Sequence, residues 1–123
     1  MGADIWLGQR DRPTGYFRDN YGSGLTTLNY LGLYYWTDLR PLLDADGSFP
    51  LERNAWLLDE LRYRAAKRLS GPAAVATAAA YLAEHGLRGV PDMLVDEWYA
   101  HTRQLIELLE RSARIGVPLM MSL

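Results

Sequence analysis

The stretch from Val90 to Gly116 constrains the fold more than any other part of the chain. Pro91 and Asp92 open it as first-turn residues do, and Gly116 closes it. Between them Leu94, Val95, Trp98, Thr102, Leu105, Leu109 and Ala113 recur at helical spacing, with Ile106 and Leu108 widening the stripe. The pattern predicts a helix of about 25 residues, a rod roughly 37 Å long. In a chain of 123 residues, such a rod either projects or covers one whole side of the fold.

Two more helices precede it. Pro50 suits the first helical position of a segment running to about Leu69, with Leu57, Leu58, Leu61, Ala65 and Leu69 inward. Gly71-Pro72 separates it from Ala73–His85, an alanine-rich helix stopped by Gly86. Its small side chains allow close approach, which predicts a central or tightly packed helix.

The chain ends read differently. From Ala3 to Gln9, Ile5 and Leu7 alternate with Asp4 and Trp6, a period of two that marks a strand. Arg10–Gly15 forms the turn, and Tyr16–Arg18 returns as a short second strand. Val117–Leu123 is apolar and needs cover, which a strand beside Ala3–Leu7 provides, with Pro118 at an edge or a strand start. The expected class is α+β: one mostly helical domain, residues 1–123, with four to five helices and a small antiparallel sheet from the N-terminal segment, joined by the C-terminus.

Composition bounds the function classes. Without cysteine there is no disulfide, thiolate zinc site or Cys nucleophile. A net charge of −2 favours neither a nucleic-acid binder driven by bulk electrostatics nor an acidic mimic. The first fifteen residues lack the apolar core of a leader, and no run approaches a membrane span, so an intracellular, cytoplasmic protein with no membrane contact is expected. Asp44-Ala-Asp-Gly-Ser lacks the spaced acidic set of a calcium loop.

Residues 16–36 carry seven aromatic side chains, Tyr16, Phe17, Tyr21, Tyr30, Tyr34, Tyr35 and Trp36. Arg18, Asp19 and Asn20 sit among them, and Gly22-Ser23-Gly24 breaks the chain before a helix carrying Leu25, Leu28 and Leu31. Aromatic rings with arginine are the composition of contact surfaces. Ser23 suits the N-cap, and the amides of Gly24, Leu25 and Thr26 would favour an anion. Tyr16, Arg18, Asp19, Asn20, Tyr21, Ser23 and Tyr35 are therefore the candidate ligand- or partner-binding residues. The Gly-Ser-Gly run is neither a P-loop nor a dinucleotide fingerprint.

Catalytic signals are thin. His101 follows Glu97 by four residues, half of a metal set, and reads as a solvated pair on a helix face. His85 fits the negative end of its helix, and no serine sits in a nucleophile elbow. Arg64, Lys67 and Arg68 form a basic strip that reads as solvated surface. The sequence therefore names no reaction, no catalytic or metal-binding residue and no cofactor, and it does not favour an enzyme. It favours a small regulatory protein of the inhibitor, immunity or antitoxin kind, binding a protein partner or a second copy of itself. The alternative is a phosphate- or carboxylate-binding protein or enzyme using the 16–26 loop.

Overall fold

The computed structural model describes residues 2–20 and 27–123. Strands β1 (Gly2–Gln9) and β2 (Arg12–Asn20) form an antiparallel hairpin across the two-residue turn Arg10–Asp11. The return strand is longer than Tyr16–Arg18 because an irregularity between Leu7 and Gly8 lets pairing continue to Gln9 and Arg12. A later strand at the C-terminus (Leu119–Ser122) lies antiparallel to β1, with Ile5 opposite Met121, and starts directly after Pro118.

That C-terminal strand is not at the edge of the sheet. Ser48–Phe49 pairs with its other side, so in chain order Ser48–Phe49 is β3, Leu119–Ser122 is β4, and the sheet runs β2-β1-β4-β3. Sequence reading leaves 44–48 as a loop, since two residues carry no periodicity. The strand is placed by its turn instead. The Gly47 N–H donates to the Asp44 carbonyl, and Asp46 Oδ1 accepts from both the amide and the hydroxyl of Ser48.

Three long helices carry most of the chain: α2 (Asn54–Arg68), α3 (Gly71–Glu84) and α4 (Pro91–Ile115), preceded by the short α1 (Thr27–Tyr30). α2 starts at Asn54 rather than Pro50, because Pro50 is extended and leads into a 3₁₀ turn over Leu51–Arg53. Buried Asn54 then ties α2 to α4, its Nδ2 donating to Ser112 Oγ at 3.0 Å. α3 and α4 stop where the glycines predict. Gly86 and Gly116 have φ of 61° and 70°, and the amides of Leu87 and Val117 donate back to the carbonyls of Leu82 and Ser112.

One hydrophobic cluster takes side chains from every strand and every α-helix. The sheet contributes Ala3, Ile5, Leu7, Phe17, Phe49, Leu119 and Met121. α4 lies against β2 so closely that a Cβ on Gly15 would stand 2.5 Å from Leu108 Cδ1. The ladder of α4 is buried from Leu94 to Leu109, then passes to Ser112, leaving Ala113 exposed. Leu58 of α2 is only partly buried.

α3 packs closely on one neighbour, as its small side chains allow, but is not central. It buries Ala74, Ala78 and Leu82, packs mainly on α4, and exposes most of its surface. Its alanines give helix propensity without much apolar area, so it sits at the periphery rather than the centre. Among the described residues no helix is long and apolar enough to cross a membrane.

Candidate functional site

The candidate residues divide into a buried knot and an exposed surface. Asp19, expected on the surface, is 1% exposed. Its position at the end of β2 aims the carboxylate at the start of α1, where Oδ1 accepts from the Thr27 amide at 3.0 Å and Oδ2 from the Leu28 amide at 3.2 Å. Tyr35, also 1% exposed, donates its hydroxyl to Oδ2 at 2.6 Å. The described helix start therefore already holds an anion, the chain's own carboxylate. Tyr21, Ser23, Gly24, Leu25 and Thr26 lie outside the described residues, as does any N-cap by Ser23. The side chain of Asn20 lies outside them too.

His101 belongs to this knot and not to a solvated pair with Glu97. Its Nε2 stands 2.7 Å from the Arg18 carbonyl, which only accepts, so Nε2 carries the proton. Nδ1 then accepts from the Thr27 hydroxyl at 2.7 Å in the neutral ring, 3.9 Å from Asp19 Oδ1. The imidazole stacks on Phe17 with centroids 4.4 Å apart. Hydroxyl, imidazole and carboxylate resemble a nucleophile, base and orienter in kind, but not in arrangement. Thr27 is 2% exposed, and the nitrogen opposite its hydroxyl bonds a backbone carbonyl. With Thr27 buried and both ring nitrogens bonded within the protein, the knot joins β2, α1 and α4.

Arg18 and Tyr16 lie on the outer face of the sheet. Arg18 Nη1 donates to Asp4 Oδ1 at 2.7 Å, and the Tyr16 hydroxyl donates to the same oxygen. Hydrogen bonds with Tyr16 and Asp4 hold the Arg18 proton more tightly than usual. Both side chains remain largely open to solvent.

The basic strip on α2 is partly used internally: Lys67 and Arg68 are exposed, but Arg64 and Arg68 both bond the backbone beside α1. Arg64 Nη1 donates to the carbonyls of Leu31 and Gly32, both at 3.0 Å, while its Nε bonds Glu60. Arg68 donates to the Tyr30 carbonyl. These guanidinia satisfy the carbonyls that α1 leaves open at its C-terminal end.

The exposed aromatic surface lies further along. After Gly32 the chain makes a π-helical turn over Tyr35–Leu39, closed by the Arg40 N–H donating to the Tyr35 carbonyl. The Asp38 carboxylate accepts from the Tyr34 amide, and the Tyr34 carbonyl accepts from the Asp38 amide, so the turn is fastened from both ends. Tyr35 and Leu39 point inward, which leaves Tyr34 and Trp36 51% and 54% exposed. The Arg40 guanidinium lies 4.5 Å from the Trp36 ring centroid. With Asn29 and Thr37 the rings line an open concavity of about 630 Å³. A second groove of about 320 Å³, lined by Thr37, Pro41, Arg53 and Trp56, adjoins at Thr37.

Sequence reading takes Tyr34, Tyr35 and Trp36 together as rings that could stack a ligand, expects one of them exposed and keeps Tyr35 as the candidate. Instead two are exposed and Tyr35 is the buried one; Arg40 it does not single out. Three consecutive rings give no clue to which one faces inward, since a π turn rotates them differently from an α-helix. Among the described residues no three His, Asp or Glu side chains converge as a metal site requires. No known protein family, curated protein or solved structure matches the chain.

Proposed function

We propose that the protein acts by binding another protein through the aromatic–arginine surface of the π-helical turn, as an inhibitor, immunity or antitoxin-like regulator does. The observation that carries this is the exposure of Tyr34 and Trp36 on either side of buried Tyr35, with Arg40 laid over the indole. Exposed aromatic rings and arginine are the residue types that dominate binding energy at protein interfaces. Π-helical turns also occur often at functional positions. The backbone beneath the rings is fastened by the Tyr34–Asp38 hydrogen bonds and Trp36 is stacked by Arg40, which lowers the ordering cost of docking.

The phosphate or carboxylate reading loses support at the described start of α1, where Asp19 occupies the amides of Thr27 and Leu28.

The test is a photo-crosslinking residue placed at position 36, in cells that make the protein, with Arg114 as the control position. A discrete protein adduct at 36, absent at 114 and lost with Tyr34→Ala or Arg40→Ala, supports the reading. Adducts that are the same at both positions, or that survive both substitutions in a folded protein, remove it. A thermal-shift screen with nucleotides and phosphate sugars tests the small-ligand alternative separately.

A further inference from the structure

We infer that α4 holds the free edge of β2 closed against β2 of a second copy of this chain. β2 is nine residues long and, among the described residues, ends the sheet, and such an edge is a template for strand addition. Its register identifies the outward-facing groups. Asp4 and Trp6 pair with Arg18 and Tyr16 on one side and with Ser122 and Met120 on the other. The Arg18 carbonyl is taken by His101 of α4, so the backbone of Arg18 faces away from β1. By strand alternation Tyr16 faces the same way. Arg111, also of α4, donates Nη1 to the Thr14 carbonyl at 2.7 Å.

An antiparallel pair of β2 strands related by a two-fold axis at Tyr16 would set Thr14 of one copy opposite Arg18 of the other. The carbonyls of Thr14 and Arg18 would then accept from the partner strand's amides. Those are the two carbonyls that Arg111 and His101 occupy. Nothing in the charges opposes the pairing, since Arg18 would face Thr14 and Arg12 would face Asn20, with no like charges opposite each other. Pro13 and the irregularity beside Thr14 disturb one end of the edge but leave Tyr16 and Arg18 in regular register. The two α4 side chains are therefore the barrier over that segment.

The experiment is sedimentation velocity on the full chain and on Arg111→Ala, with circular dichroism to establish folding. If Arg111→Ala does not fold, Arg111→Met keeps the stem and is measured in its place. Releasing the Thr14 carbonyl should tighten self-association at least roughly tenfold over the unsubstituted chain. Amide exchange at Tyr16 and Arg18 should slow in the new species, because those N–H groups become bonded. Adding Tyr16→Pro, which removes an outward N–H, should return the protein to its original sedimentation. A folded Arg111 variant that sediments like the unsubstituted chain, and still does so when His101→Phe also releases the Arg18 carbonyl, overturns the inference. So does new association that leaves the Tyr16 and Arg18 amides unprotected or survives Tyr16→Pro.

Discussion

Asp19 shows how one buried carboxylate can organise three separate segments. It receives two backbone amides and a phenol, and each bond to an ionised acceptor is stronger than a neutral one. Asp19→Ala leaves three donors without it, and we expect a loss of about 3 kcal/mol in urea denaturation. Asp19→Asn keeps one acceptor and should cost less. Tyr81 presents the opposite case, because its buried hydroxyl has no hydrogen-bond partner among the described residues. Tyr81→Phe should therefore cost less than about 1 kcal/mol, or stabilise. Burial raises the phenol pKa of both Tyr81 and Tyr30 above the ordinary 10.0. Folding thus favours the protonated phenols, so their contribution is complete below pH 10 and is lost as pH rises through the folded values. Urea titrations at alkaline pH should show that loss, and Tyr81→Phe should reduce it. Asp46 runs the other way. The hydroxyl and then the amide of Ser48 lower its pKa, so its contribution is present above the ordinary 3.8 and is lost as pH falls toward the lowered folded value. Ser48→Ala should flatten stability in that acid window.

Elements with a strong period were legible, and elements defined by contacts were not. Seven positions of α4 were read as an apolar ladder and six are buried, because a long amphipathic helix has one way to face a core. The apolar ends predicted the pairing of β1 with β4, since each needed the other for cover. β3 escaped because two residues have no pattern, and α3 was misplaced because alanine is compatible with both close packing and exposure. At the candidate site Arg18 is exposed as expected and Tyr16 is exposed beside it, whereas Asp19 and Tyr35 are buried. His101 escaped because its partners, Phe17, Thr27 and the Arg18 carbonyl, are more than seventy positions away in sequence. β4 yields the clearest element-level test. It lies between β1 and β3, and buries Leu119 and Met121, each worth about 1.5–3 kcal/mol. Deleting residues 119–123 should remove cooperative thermal unfolding, whereas a truncated protein that keeps a sharp transition would show that the sheet does not need β4.

α4 runs the length of the fold and packs on both strands of the hairpin and on α1, α2 and α3, so it should be the last part to open. α3 should be the first of the long helices. It is 14 residues long, below or near the length at which an isolated helix persists in water. Only Ala74, Ala78 and Leu82 bury fully, and the remaining anchorage is aromatic. Tyr81 meets Trp98 edge-on at 5.4 Å, and Tyr30 stacks on the same indole at 3.7 Å. Trp98 thus holds α3 and the end of α1 on one ring, and Trp98→Ala should cost about 3–5 kcal/mol. Native-state hydrogen exchange separates this account from uniform stability. Amides of α3 should exchange through an opening that leaves Leu105–Leu109 protected and has a weaker urea dependence than global unfolding. If α3 and the centre of α4 instead share one opening free energy, the fold is a single cooperative unit and the alanine-rich helix is held more firmly than its buried area implies.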